Sequence, residues 1–275
     1  MGNWGTSQVL ETLASLDEEE LPDDFIDVRN EEYRLIRYPD RFISATLPAA
    51  QVVWSRTHRP LDLVVDEIAS MVTDWGLDAL HWWVTAATRP VETEAYLVSR
   101  GAVVSDRYHV LARELGDDPV EGYPPGVNVS LVDDETTLRD AAVVESRGWG
   151  RAATAEDELA DRLRQVLADL AAGRVARFVA YVEGEPASTG VCRVDQEVAR
   201  LYGAVTLPEY RSRGCYHAIL HERLRHARAG GASIAITRGR PQSSGRLLVK
   251  SGFVIHGVET CLRLSLSSAG RAPSG

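Results

Sequence analysis

The segment Leu207-Pro-Glu-Tyr-Arg-Ser-Arg-Gly214-Cys-Tyr-His217 holds residue types that can bind an anion. An apolar run ends at a proline, an arginine-rich turn follows, and Gly214 opens a stretch with Ile219, Leu220, Leu224 and Ala227 on one helical face. The first turn of a helix exposes unpaired N–H groups and a partial positive charge, and a glycine lets a phosphate come close to the backbone. Arg211 and Arg213 add cationic potential beside that turn. By itself the pattern is shared with any well-capped strand-to-helix connection. His217 and His221 lie one helical turn apart, the spacing of a metal chelate, but Arg213, Arg223 and Arg225 would repel a cation there. Arg225 also stands where HExxH needs its second histidine, so this face reads as solvated, with no metal.

The surrounding pattern supplies elements that would hold the turn. Val127–Val132 alternates as a strand, and Glu135–Ser146 reads as a helix with Asp133 or Asp134 as its N-cap. Asp157–Ala172 carries an apolar stripe closed by Gly173. Ala176–Val182 and Pro186–Val194 flank Glu183-Gly184, a hairpin signal, and Val198–Thr206 is a further strand. The helix Cys215–Ala229, the strand Ser233–Thr237, the short helix Ser244–Lys250 and the long strand Phe253–Leu266 complete the order. Upstream, Leu61–Trp75, Ala79–Ala86, Glu92–Ser99 and Ala102–Leu115 repeat helix, strand, short helix and long strand, which suggests a duplication. Prolines and glycines crowd residues 116–126, so the chain divides near Pro119 into a segment 1–118 and a segment 119–275.

Arg211-Ser-Arg-Gly214-Cys-Tyr216 resembles the [Gln/Arg]-x-x-Gly-x-[Gly/Ala] hallmark of the GNAT superfamily of N-acetyltransferases, and Leu247-Leu-Val-Lys-Ser-Gly-Phe253 resembles its closing signature. The resemblance spans nearly all of the C-terminal half. It implies an α/β (α+β) GNAT fold with a mixed, mostly antiparallel central sheet flanked by helices, here as two related lobes. It also implies acetyl-CoA as co-substrate, with pantetheine along Ala204, Val205 and Thr206. The pyrophosphate would lie on the turn residues Arg211, Ser212, Arg213, Gly214, Cys215, Tyr216 and His217. Two positions depart from the family. Tyr216 replaces a small residue, and Leu248 stands where many members carry a tyrosine that protonates the departing thiolate.

The implied reaction is attack of an amine on the acetyl thioester, which needs positioning, a polarised carbonyl and a proton acceptor. Glu145, Asp195 and Glu197 are candidate bases, and Tyr202 and Ser244 candidate helpers for the leaving group. The N-terminal lobe lacks an Arg-x-x-Gly turn before its helix at Leu61, so it is expected to be degenerate, without bound cofactor. Trp54, Trp75, Trp82 and Trp83 crowd that lobe, and consecutive Trp82 and Trp83 must face opposite sides of a strand.

Bulk properties narrow the classes. The 275 residues carry a net charge of −10, without a basic block for tracking phosphates, so no nucleic-acid partner is expected. No apolar run is long enough for a bilayer, and the acidic N-terminus lacks signal-peptide features, which suggests a cytoplasmic protein without a membrane partner. Met1-Gly2 with Thr6 fits a permissive myristoylation pattern that carries little weight. Cys192, Cys215 and Cys261 form neither a disulfide framework nor a metal knuckle. The expectation is therefore an N-acetyltransferase for an amine of a small molecule or peptide, as monomer or homodimer. The alternatives are a non-catalytic acyl-CoA-binding or interaction module, and a phosphate-binding α/β protein without acyl chemistry.

Overall fold

The structure is a computed structural model that describes residues 4–16, 21, 24–39, 49–116 and 125–266. Met1-Gly2, the acidic run Asp17–Glu20, the expected boundary at Pro119 and the tail after Leu266 lie outside the described residues. Grouped by compactness, the chain forms two units that are not continuous in sequence. One contains Leu111–Gly239 and Leu247–Ile255; the other contains Gly5–Val110, Arg240–Arg246 and the residues from His256 on.

The second unit begins with α1 (Thr6–Leu16), β1 (Ile26–Arg29), β2 (Tyr33–Arg37) and β3 (Ala50–Ser55). It continues through α2 (Leu61–Asp74), β4 (Ala79–Val84), α3 (Thr93–Ser99) and most of β5 (Val103–Glu114). Its strands run in the order β1-β2-β3-β4-β11-β5, where β11 is Val254–Ser265. β3 and β4 are parallel, and the β1–β2, β2–β3 and β4–β11 pairs are antiparallel. Val64, Val65, Ile68 and Val72 of α2 pack with Val52, Leu80, Trp82, Leu262 and Leu264. Trp82 lies in this core with its indole N–H donated to Ser55 Oγ at 3.1 Å. Trp83 points to the other face, donates to Gln51 Oε1 at 2.7 Å and meets the Tyr108 ring at 5.5 Å.

The first unit takes β6 (Val127–Leu131), α4 (Glu135–Trp149), α5 (Glu156–Ala171), β7 (Val175–Val182), β8 (Glu185–Asp195) and β9 (Val198–Thr206). α6 (Cys215–Ala229) and β10 (Ile234–Gly239) follow, and α7 (Ser244–Lys250) contributes its last residues. The strand order is β10-β9-β8-β7-β6, antiparallel except for the β10–β9 pair. Asp134 caps α4 by accepting the Thr137 N–H at 2.8 Å, and Gly150 closes that helix at φ 65°. Glu183 and Gly184 both adopt positive φ, as a two-residue turn between right-twisted strands requires. One face of the sheet is covered by α4 and α5 through Leu138, Ala141, Ala142 and Leu159, against Val179 of β7. The other is covered by α6 through Ala218, Ile219, Leu220 and Leu224, against Phe178, Cys192, Ala199 and Leu201.

The element successions β1-β2-β3-α2-β4-α3-β5 and β7-β8-β9-α6-β10-α7-β11 are the same. Both contain a register shift at the strand that precedes the long helix, between β2 and β3 and between β8 and β9. The repetition thus extends three strands further upstream than the pattern of helices and glycines indicates.

Candidate functional site

The site grows from the way β9 leaves its neighbours. Its parallel ladder with β10 runs from Ile234↔Val198 to Thr237↔Leu201 and ends there, while β9 continues to Thr206. At the fork, Thr237 Oγ1 donates to the Leu201 carbonyl at 2.8 Å, so a buried side chain takes over where a ladder N–H would have been. Beyond it, the β9 edge that faced β10 leaves the ladder, a backbone edge on which an extended chain with its own amides can lie.

The β8 edge of β9 stays paired but bulges. Val191 faces Tyr202 and Thr189 faces Val205, so two residues, Gly203 and Ala204, stand opposite Gly190. Gly203 takes φ 61°, a left-handed value that glycine adopts without penalty. The bulge keeps Tyr202 and Val205 on the α4 face although they are three positions apart. Ala204, Val205 and Thr206 are half-buried. Ser188 Oγ lies 2.9 Å from the Val205 carbonyl and 2.8 Å from Thr206 Oγ1, which ties down the end of the strand. α4 closes on the same place: a Cβ on Gly148 would sit 2.5 Å from Val205 Cγ2, so only glycine permits this approach.

After β9, a single 3-10 turn at Pro208–Tyr210 leads into Arg211, and the chain reverses through Ser212 at φ 62° and Gly214 at φ 85°. Left-handed Ser212 and Gly214 on either side of Arg213 give the alternation of backbone handedness that forms an anion-binding concavity of N–H groups. Gly214 is the N-cap of α6 and offers no capping side chain, and the first turn of α6 contains no acidic residue. The N–H groups of Cys215, Tyr216 and His217 therefore meet neither a side-chain cap nor a carboxylate from their own turn. Arg211, Ser212, Arg213 and His217 are exposed around them. Arg213 pairs with Glu183 at 2.6 Å and lies over the Tyr210 ring. Burial pushes the Cys215 thiol up, so it stands as a neutral core group. Tyr216 packs against the α6 core, 5.9 Å from Arg223 Cζ, with its ring accommodated on the sheet side of the helix.

The candidate catalytic groups separate. Glu145 on α4 accepts from Arg162 Nη2 at 2.5 Å and from Arg177 Nη1. Burial opposes its ionisation, but Arg177 and Arg162 outweigh that and hold the carboxyl below its usual range. A carboxylate committed to two guanidinium groups is a poor proton acceptor and a good anchor between α4, α5 and β7. Asp195 and Glu197 lie at the hairpin that begins β9, the end opposite the turn, roughly 25 Å along an extended strand. Glu197 is engaged there with Ser233. Tyr202 sits at the bulge, 40% exposed, with Arg200 Cζ 5.8 Å from its ring. Ser244 belongs to the other compact unit, where its hydroxyl accepts the Arg240 N–H at 3.0 Å. Leu248 is 1% exposed in the core cluster with Phe253, so that position offers packing and no proton. Thr237, Gly203 and Gly148 escaped the sequence reading: a threonine or a glycine acquires its role only from the strand pairing or helix approach around it.

Among the described residues, no cluster of three or more metal-ligating side chains occurs and no helix is long and apolar enough to cross a membrane. Residues 120–239 match the family described as Acetyltransferase (GNAT) domain. A GCN5-related N-acetyltransferase from Kribbella flavida is similar over 98% of this chain and 97% of its own, at 17% identity and TM-score 0.64. One from Sphaerobacter thermophilus is similar over 93% and 85%, at 15% identity and TM-score 0.64. A tandem GNAT protein from the clavulanic acid biosynthesis pathway is similar over 86% and 79%, at 16% identity and TM-score 0.58. No curated protein matches. These likenesses establish the fold: a GNAT fold of mixed, mostly antiparallel strands flanked by helices.

Proposed function

We propose, from the match of residues 120–239 to the family described as Acetyltransferase (GNAT) domain, that the protein transfers an acetyl group from acetyl-CoA to an amine of a small molecule or peptide. The observation that carries the reading is the pairing of two features. The β9 edge departs from β10 after Leu201, and the turn that follows delivers Gly214 in a left-handed conformation to an uncapped helix start. An edge for amides beside a cradle for phosphates matches the pantetheine and pyrophosphate of CoA. Ala204, Val205 and Thr206 would line the first, and the backbone from Ser212 to His217 the second, with Arg211 and Arg213 at its rim. In this reading the protein is a cytoplasmic tandem-domain enzyme.

In the transfer, the amine nitrogen bonds to the thioester carbon, the C–S bond breaks, the ammonium loses a proton and the thiolate gains one. A β9 N–H near the bulge would polarise the carbonyl. Glu145 is held by its arginines, and Asp195 and Glu197 lie at the far end of β9, so the amine's proton leaves through water. Tyr202, a partly exposed residue beside the bulge, would protonate the sulfur. Buried Leu248 supports a second reading, a module that binds acyl-CoA without turning it over.

Equilibrium titration with acetyl-CoA, together with thiol release over a panel of amines, tests both. Gly214→Val places a β-branched residue at φ 85° and is expected to weaken acetyl-CoA binding at least tenfold. Unchanged affinity in that variant rejects the site. Tight binding with no thiol release over a broad amine panel selects the module.

A further inference from the structure

Arg223 is a buried cation with no carboxylate partner among the described residues. It lies on α6, 1% exposed, with its Nε sealed from any hydrogen-bond acceptor. Glu222, beside it in sequence, is held by Arg225 at 2.7 Å. The thiol of Cys192 feels the charge of Arg223, but burial dominates and pushes that thiol up to about 12, so it stays neutral. Taking a guanidinium out of water without a partner is costly. The Tyr216 ring, 5.9 Å from Cζ, offsets only part of that cost.

The location of this cation ties it to β9. Gly190 on β8 pairs with Phe178 of the α6-side core, and a Cβ on Gly190 would lie 3.3 Å from Arg223 Cζ and 2.7 Å from Ile219 Cγ2. Only glycine lets the guanidinium rest against β8 there. Gly190 is also the residue opposite Gly203 and Ala204, the bulge of β9. With neighbouring strands about 5 Å apart, the guanidinium lies within roughly 10 Å of the bulge backbone, on the sheet face away from α4. A bulge takes its extra residue out of the regular ladder, so the orientation of its peptides responds to a local field. A trans peptide points its C=O and N–H in opposite directions, and a cation that attracts one end drives the other away.

We propose that Arg223 is a positioning residue for the transfer. From the α6 side it draws the carbonyl ends of the bulge peptides and turns their N–H ends toward the thioester oxygen, which those N–H groups polarise as charge develops. The proposal rests on the acetyl-transfer reading and adds to it the fixed charge that makes the β9 N–H effective. Acting through the backbone from the far face, Arg223 touches neither acceptor nor thioester. A unit charge at about 10 Å within protein is felt as a rate change of about tenfold.

The test uses the full chain and acetonyl-CoA, a ketone analogue that cannot transfer its acyl group, labelled with carbon-13 at the carbonyl. Infrared difference spectra of the bound analogue read the polarisation of that C=O directly. In the native chain and in Arg223→Lys the stretch should lie at lower wavenumber than in water. In Arg223→Met it should return toward the aqueous value while the dissociation constant stays within about threefold, because the contacts to CoA are untouched. With an accepted amine, kcat should fall about tenfold in Arg223→Met with KM for acetyl-CoA unchanged, and Arg223→Lys should keep most of it. Arg223→Gln takes the place of Arg223→Met if the latter fails to fold. A bound analogue with the same stretch in all variants overturns the proposal, as does a loss of stability or affinity shared by Arg223→Lys and Arg223→Met with the stretch unmoved. No binding of acetonyl-CoA to the native chain sinks the acetyl-transfer reading itself, and the role of Arg223 with it.

Discussion

Glu145 illustrates how a single carboxylate can look catalytic in a sequence and act as an anchor in the fold. It sits on α4, the first helix of the segment that matches the GNAT domain family, where the proposed reaction would welcome a base, but its oxygens are occupied by Arg162 and Arg177. Glu145→Gln removes the charge that compensates those arginines. Breaking a buried pair costs about 3–5 kcal/mol. Arg162 and Arg177 retain 28% and 20% of their side-chain exposure, so the expected loss is nearer ~2 kcal/mol, read as a lower denaturant midpoint. The carboxyl titrates below 4.5 in the folded chain. Its contribution is therefore complete above about pH 4.5 and disappears as pH falls through the folded value, a slope that Glu145→Gln should flatten. A general base would behave differently: kcat would fall a hundredfold or more with stability intact.

At the scale of elements, the site depends on α4 reaching β9 at Gly148. A methyl group there meets Val205 Cγ2 at 2.5 Å, and valine cannot swing away as a long side chain can. Gly148→Ala should therefore displace either the helix or the strand end. The expected cost is about 1–3 kcal/mol of stability, with a raised KM for acetyl-CoA because Val205 borders the proposed pantetheine edge. Val205→Ala in the same chain frees the space and should restore much of both, a coupling that a double-mutant cycle measures. This contact was invisible in the sequence, whereas β9, α6 and α7 were legible to the residue. Those three are set off by punctuation at Pro208, Gly214, Gly230 and Gly252. β1 and β2 were not legible, because they span only Ile26–Arg29 and Tyr33–Arg37 and the second buries a charge. Arg34 is 2% exposed and paired with Asp27 at 2.7 Å, a pairing that no local pattern announces. The turn at Gly214 was readable as an anion cradle, but the fork at Thr237 and the bulge at Gly203 follow from strand register, which depends on partners distant in sequence.

At the scale of the whole molecule, the course of β11 makes the two halves of the chain interdependent. Thr260 to Ser265 pair residue for residue with Val84 to Ala79 of β4. Leu262 and Leu264 complete the core formed by α2, β3 and β4. The segment 119–275 contains β11 but not β4, so expressed alone it would expose a strand edge and two leucines that are 0% and 7% accessible in the intact chain. Burying such side chains contributes about 1.5–3 kcal/mol each, and an unpaired apolar edge invites association. The segment is therefore expected to self-associate in size-exclusion chromatography or to melt well below the full chain. Supplying 1–118 in trans should recover a stoichiometric complex, since the missing partner strand is then present. A monomeric 119–275 with the melting temperature of the full chain would show that β11 does not need β4. The GNAT signature lies within 119–275, yet this pairing makes the intact chain the unit in which activity should be sought.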